Sequence, residues 1–208
     1  MPTTNPGSTP AIIFDLGAVL IDWDPRHLYR KLFDDHQEME RFLAEITTHA
    51  WNAQHDAGVR WEDGVSSLTV EHPEYADLIM AYWKRWDEML NGPIEGTVAI
   101  LQRLKDDGHE LHALTNWSDE TFPVARRRYG FLDLFEQIVV SGEEKVTKPD
   151  HRIYRTLLDR IGRTPRECIF IDDSPRNVAA AVELGFDAIH FVSPQQLADD
   201  LAVRGILD

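Results

Sequence analysis

Five short apolar runs punctuate the sequence, and none alternates strictly between apolar and polar residues: "AIIFD" (11–15), "ELHALT" (110–115), "FEQIVV" (135–140), "CIFID" (168–172) and "DAIHFV" (187–192). A strand with one wet face alternates. A run rich in β-branched and aromatic residues without alternation suits a strand covered on both faces, the situation of a parallel sheet. Parallel neighbours need crossover connections, usually helices, and the intervening segments supply them. In "IEGTVAILQRLKDDG", Val98, Leu101 and Leu104 recur at helical spacing and Gly108 is a C-terminal stop. "DETFPVARRRYG" opens on a candidate N-cap, Asp119, and closes on Gly130. "DHRIYRTLLDRIG" runs from Asp150 to Gly162, and "SPRNVAAAVELG" has Ser174 as N-cap, Pro175 at the first helical position and Gly185 past the end. The expected fold is α/β, a doubly wound parallel five-stranded sheet of Rossmann type.

Residues 22–92 break this rhythm, because no convincing strand occurs in them. "PRHLYRKLF", "QEMERFLAEIT" and "YADLIMAYWKRWDEML" carry helical periodicity. A connection of this length is an insertion with its own structure rather than a loop. The sequence therefore predicts a small all-helical cap over 22–92, inserted after the first strand. Turn-rich hinges, "DWDP" (22–25) and "NGP" (91–93), bound it, and Pro25 suits the first turn of a helix. Residues 11–21 and 93–208 make the core domain, and 1–10, "MPTTNPGSTP", read as a polar, mobile tail.

With 208 residues, the chain can bury a full core. Its formal net charge of -15 disfavours phosphate backbones and anionic lipid, so neither nucleic acid nor membrane is an expected partner. Cys168 is the single cysteine and sits in an apolar run, as an inert core residue would. The N-terminus lacks a signal-peptide pattern, and a cytoplasmic home is expected. Nothing in the sequence specifies an oligomeric state.

In open α/β sheets ligands bind at the carboxyl ends of the strands. The first strand ends on Asp15, the second on Thr115 and Asn116, and the fourth on Asp172 and Asp173. "SGEEKVTKPD", with Lys145 and Lys148, follows the third. Singly these residues have bland readings: turn caps for Asp15, Thr115 and Asn116, a solvated loop lysine for Lys148, N-cap chemistry for the acidic pair. Together they supply what metal-assisted phosphoryl transfer uses: a carboxylate nucleophile, hard oxygen ligands for Mg²⁺, and a hydroxyl and a lysine for the transferring group.

In order and spacing these residues resemble the haloacid dehalogenase superfamily of hydrolases, over nearly the whole chain. "FDLGAVL" resembles the first motif of that family, Thr115 in "LTNWS" the second, Lys148 in "TKPD" the third and "IDDS" the fourth. The resemblance implies Asp15 as nucleophile. It implies Thr115 and Lys148, with Asn116 beside them, as holders of the phosphoryl oxygens. It also implies Asp15, the Gly17 carbonyl, Asp172 and Asp173 as magnesium ligands. The insertion looks like the family's helical cap.

One position departs from the pattern. Phosphatases of this family usually carry a second Asp two residues beyond the nucleophile, as general acid and base; here Gly17 stands there. Three readings follow. The chain is a magnesium-dependent phosphohydrolase of a small phosphorylated metabolite, sugar phosphates among the candidates, with another group or a water chain as acid and a preference for good leaving groups. Or it is a 2-haloacid dehalogenase, whose carboxylate attacks carbon without metal; the acidic pair speaks against this, and Tyr154, where such enzymes keep a tyrosine, reads as packing. Or it is a degenerate scaffold that binds without turnover. Asp22 and Asp24, at the hinge, could replace the missing acid or simply cap the helix at Pro25. Trp51, Trp61, Tyr82, Trp83 and Trp86, with Trp23 at the entry, read mostly as cap core. His49 and His55 read as surface residues, Trp117 as an aromatic near the site, and the "RRR" run at 126–128 as a solvated face.

Overall fold

The computed structural model describes residues 9–208, so most of the expected tail lies outside the described residues. In chain order the elements begin with β1 (Ala11–Phe14) and β2 (Ile21–Trp23). Five helices follow: α1 (Arg26–Tyr29), α2 (His36–Glu45), α3 (His49–Asp56), α4 (Trp61–Glu71) and α5 (Ala76–Lys84). Then come β3 (Leu90–Pro93), α6 (Glu95–Asp106), β4 (Leu111–Thr115), α7 (Phe122–Arg128), β5 (Gln137–Val140) and α8 (Ser141–Glu144). The chain closes with α9 (His151–Ile161), β6 (Cys168–Asp172), α10 (Pro175–Leu184), β7 (Asp187–His190) and α11 (Pro194–Val203).

All five apolar runs are strands of one parallel sheet of order β5-β4-β1-β6-β7. The side chains of β1 explain why the runs do not alternate. Ile12 and Phe14 join the cluster that includes Leu101 and Leu104 of α6 and Leu197 and Leu201 of α11. Ala11 and Ile13 join the opposite cluster, with Ile153, Tyr154 and Leu157 of α9 and Ala181 of α10. Both faces are dry, so both residue parities are apolar. The chain runs outward from β1 to β4 and β5, then returns to β6 on the other side of β1. The direction reverses at β1, which makes its carboxyl end the switch point where such sheets bind ligands.

Local signals hold where capping is local. The Asp150 carboxylate accepts the Arg152 N–H at the start of α9, and Gly162 ends that helix at φ 65°. Gly185 ends α10 at φ 98°. Ser174 is the N-cap of α10 by position, but the Asp172 carboxylate, not the Ser174 hydroxyl, does the accepting, from the Ser174 N–H at 2.8 Å. The helix expected from Asp119 starts later, at Phe122, and Asp119 instead pairs with Lys145 at 3.2 Å.

The stretch read as strand-free is not. β2 and β3 form an antiparallel ribbon, Ile21 opposite Pro93 and Asp22 opposite Gly92, with an irregularity after Asp22. Strands this short carry no readable period, and the partners are far apart in sequence, so tertiary contact decides the ladder. Between them the chain is helical. α3 and α4 carried no clear signal; on α3, Asn52 and His55 are buried beside Trp51 and break the apolar stripe. Tyr29, Phe42, Trp51, Trp61 and Tyr82 form a chain of tilted, edge-on and stacked aromatic contacts at 5.0–6.1 Å, the core that so small a helical unit needs. His55 belongs to it, correcting the surface reading. Its ring is fully buried and stacks on Trp61 at 3.8 Å and 13°, and burial lowers its pKa.

The helical segment is tied to the sheet along one flank. The Ser141 hydroxyl donates to the Asp56 carbonyl at 2.6 Å and accepts the Trp117 N–H at 2.9 Å. The Trp61 indole donates to Ser118 Oγ at 3.1 Å. Gly58, at φ +92°, turns the chain after α3, and a Cβ there would overlap the Lys145 side chain.

Candidate active site

β1 delivers Asp15 to the carboxyl edge, with its N–H held by the Ile171 carbonyl of β6 at 2.8 Å. Past it the chain bends sharply. Leu20 and Ile21 both donate to the Leu16 carbonyl, Ala18 takes a left-handed φ of 56°, and its N–H returns to the Ile21 carbonyl. Gly17 sits in this bend with no strain of its own, and a Cβ there would meet nothing within 4 Å. Packing does not require glycine at 17; the space in which an acidic side chain would stand is open.

Lys148 lies at the centre of the site. It is buried, and its ammonium has three partners: the Leu114 carbonyl at 2.7 Å, Asp172 Oδ2 at 2.7 Å and Asp15 Oδ2 at 2.9 Å. All three donors are used. Burial alone would lower the Lys148 pKa, but the Asp15 and Asp172 carboxylates outweigh it and raise it. Asn116 holds the lysine's backbone. Its Nδ2 donates to the Lys148 carbonyl at 3.0 Å, and its Oδ1 accepts the Lys148 N–H at 2.8 Å. The sequence reading gave Asn116 a phosphate-binding role. It does line the cleft, but these bonds commit its carbonyl and one N–H to positioning Lys148.

The two acids of the fourth motif differ. Asp172 is fully buried; it accepts from Lys148, from the Ser174 N–H, and from Asn177 Nδ2 at 3.0 and 3.1 Å. Asp173 lines the cleft with Asp15 and Gly17, and burial with the neighbouring Asp172 raises its pKa. Oxygens of Asp15, Asp172 and Asp173 lie within 4.8 Å of one another. Burial pushes the Asp15 pKa up to about 7, with Asp172 and Asp173 acting the same way against Lys148. Thr115 is buried at the end of β4; its hydroxyl has no hydrogen-bond partner among the described residues and does not line the cleft.

The cleft above these groups has a volume of about 620 Å³, with Trp23, Thr47, His49, Asn52, Asp56 and Tyr82 contributed from the helical side. Asp24 and Arg26 stand at its edge, already engaged. Asp24 accepts the Arg26 N–H at 2.8 Å, the capping role, and Arg26 forks onto Glu40 with two contacts of 2.7 Å. Asp22 is held by Asn91 and His27, which together lower its pKa against a burial that would raise it. Trp117 lines an inner recess of the cleft, as expected of it. Tyr154 is core: its hydroxyl donates to the Asn177 carbonyl at 2.9 Å and it lines no part of the cleft. Asp56, next to His55, is not among the sequence candidates; its one local cue is a carboxylate two residues ahead of the turn glycine Gly58.

A carboxylate at the end of the central strand, bridged by a buried lysine to a second acid and facing the cleft, fits a hydrolase of this α/β fold. The comparisons agree. The chain belongs to the haloacid dehalogenase-like hydrolases, whose family model matches residues 9–185. It is 28% identical to the sesquiterpene phosphatase astK of Aspergillus oryzae, over 92% of this chain and 91% of that protein. To the (S)-2-haloacid dehalogenase 4A of Burkholderia cepacia it is 28% identical over 43% of this chain and 38% of that one. The fold is shared with a family enzyme of Bacteroides thetaiotaomicron solved as a magnesium complex, with TM-score 0.69 and 21% identity over 88% of this chain and 93% of that one.

Proposed function

We propose that the chain is a magnesium-dependent phosphomonoester hydrolase of a small phosphorylated metabolite, acting through an aspartyl-phosphate on Asp15. One observation carries this reading. Three carboxylates, Asp15, Asp172 and Asp173, converge within 4.8 Å, and the only ammonium among them is Lys148. Ionised, the cluster keeps an excess of two negative charges in a largely buried site. That is costly without a cation and suits a hard divalent ion with oxygen ligands. A carbon-attacking dehalogenase has no use for that surplus. A phosphatase relative matched over 91% of its length supports the same choice.

Asp15, the Gly17 carbonyl and Asp173 would hold Mg²⁺ from the cleft side, while Asp172, already saturated with donors, orients Lys148 and Asn177. Mg²⁺, when bound, supplies charge neutralisation for the phosphoryl oxygens. The remaining work belongs to the chain. Asp15 attacks phosphorus. Lys148 steadies the nucleophile and the charge on the transferring group. The Thr115 hydroxyl has no partner among the described residues and stands behind the cleft wall at the end of β4, where a small side-chain shift would bring it to a phosphoryl oxygen. The exposed Arg176 lines the cleft with no carboxylate within salt-bridge distance among the described residues, and draws in an anionic substrate.

The test is phosphate release from a panel of anomeric, aryl, acyl and alkyl phosphates, with Mg²⁺ and with chelator, for wild type and Asp15→Asn. Turnover that needs both Mg²⁺ and Asp15 is expected. Chloride release from 2-chloropropionate without metal, and no phosphate release, would make the chain a dehalogenase. Silence on every substrate would make it a binding scaffold.

A further inference from the structure

We propose that Asp56, at the end of α3, is the general acid and base of the reaction at Asp15, taking the place of the side chain that Gly17 lacks. The proposal rests on the phosphohydrolase reading above. Its geometry is that of the cleft. Adjoining the main cavity is a recess of about 60 Å³ lined by Gly17, Asn52, Asp56, Asn116 and three tryptophans, and Asp56 is its one carboxyl group. Asp56 lines the main cavity as well, which also holds Asp15 and Lys148. The recess thus joins the vacant position at Gly17, where a Cβ would meet nothing within 4 Å, to a carboxyl from the end of α3.

The other acids of the cleft are committed. Asp24 caps α1 and contacts Arg26, and Glu40 is forked by Arg26. Asp56 has no cation within 4.0 Å among the described residues. Its side-chain donor is Asn52 Nδ2, on Oδ2 at 3.1 Å, and Asn52 is itself fixed by the Tyr82 hydroxyl on its Oδ1 at 3.1 Å. Tyr82 and Asn52 are therefore positioning residues that aim the carboxyl. The main chain is anchored too, through the Ser141 hydroxyl on the Asp56 carbonyl, to the segment that follows Thr115. Asp56 is held by the core although it comes from the insertion.

Its surroundings suit proton transfer. The titratable groups around it are Tyr82 from α5 and, on its own helix, His49 and His55, the latter with Glu120 behind it; the Lys145–Asp119 pair stands beside Gly58, and Asp15, Asp24, Arg26, Glu40, Lys148, Asp173 and Arg176 line the same cleft. None is a free cation next to the carboxyl. Burial pushes its pKa up to about 7, with the Ser118 amide pulling the other way. A proton donor near neutrality is what an acid–base step needs.

The steps balance. As the Asp15 Oδ–P bond forms and the ester P–O bond breaks, the departing oxygen takes the Asp56 proton. Water then attacks phosphorus and gives its proton to the Asp56 carboxylate as the Asp15 Oδ–P bond breaks. Inorganic phosphate leaves and Asp56 is protonated again.

The experiment compares 4-nitrophenyl phosphate, whose leaving group needs no acid, with the best alkyl or sugar phosphate of the panel, with Mg²⁺ present. Wild type, Asp56→Asn, Asp56→Glu and the double variant Asp56→Asn/Gly17→Asp are measured. In Asp56→Asn the alkyl ester should lose about 10²–10⁴-fold in kcat, while the pre-steady-state burst of nitrophenol from phosphoenzyme formation is little changed. The fall in alkyl-ester kcat/KM with rising pH in wild type should vanish in that variant. Asp56→Glu should restore part of the rate, and so should the double variant, which a merely structural role for Asp56 would not allow. Equal loss of burst and alkyl turnover, or loss of neither, overturns the proposal. So does a wild type that hydrolyses aryl but no alkyl esters. A wild type without turnover on any phosphate, or an active Asp15→Asn, would instead strike the phosphohydrolase reading, and this proposal with it.

Discussion

Replacing Lys148 by Met removes one charge and three hydrogen-bond donors while leaving most of the apolar stem in place. In the native protein those donors reach the Leu114 carbonyl, Asp172 and Asp15 at 2.7, 2.7 and 2.9 Å, and the ammonium is buried. In the variant Asp172 keeps the Asn177 and Ser174 donors, and Asp15 keeps the Leu16 N–H at 2.7 Å. Neither keeps a counter-charge, and Asp173 adds a third acid to the cluster. Breaking one side of a buried ion pair costs about 3–5 kcal/mol, because the remaining charge is left without compensation. For a chain of this size that is a fall in Tm of roughly 6–20 °C. The dependence on pH has a definite sign. Losing the lysine raises the native pKa values of acids that still ionise normally when unfolded, so the penalty grows as pH rises and shrinks in acid. The assay is thermal and urea unfolding of metal-free protein at pH 5 and pH 8, repeated with saturating Mg²⁺. A larger deficit is expected at pH 8, and Mg²⁺ should recover more stability in the variant than in wild type. A melting temperature within about 2 °C of wild type at pH 8 without metal would refute the claim that this ammonium holds the carboxylates together.

Asp56 has a stability signature independent of catalysis. Its carboxyl ionises at about 7 in the folded chain against an ordinary 3.8, mainly through burial, so its contribution to stability is lost as pH rises from 3.8 to 7. Asp56→Asn should therefore be more stable than wild type at pH 8, by at most about 4 kcal/mol, and close to it at pH 4; an equal difference at both pH values in urea titrations would contradict this. Gly58→Ala should cost about 1–2 kcal/mol, from the φ of +92° and the overlap with Lys145, and should slow alkyl-ester turnover more than the nitrophenol burst; unchanged unfolding midpoints would count against it. Cys168 is buried, and burial pushes its thiol up to about 12; iodoacetamide at pH 8 should label it only in denaturant, and rapid labelling of the native chain would be inconsistent with this packing.

The sequence by itself determined the strands and most of their helices, because those signals are local. A run such as "AIIFD" is apolar at every position only if both faces of the strand are covered, and the two clusters on either side of β1 are that cover. Asp150 with Gly162, and Pro175 with Gly185, mark helix ends because backbone groups there need partners and left-handed φ within a few residues. The acids at 15, 172 and 173 and the lysine at 148 could be placed on one edge because strand ends of a parallel sheet share an edge. Only the tertiary structure decided what those residues do to one another. The Lys148 bridge to Asp15 and Asp172 and the Asn116 clasp on its backbone are contacts between elements far apart in sequence. The same holds for the β2–β3 ribbon, too short to have a period, and for His55, whose burial follows from a stack on Trp61. It holds most for Asp56. A carboxylate before a turn glycine carries no local mark of burial; its altered proton affinity arises where α3 is pinned to Ser141 at the end of β5, and burial is a property of the folded chain rather than of any stretch of it.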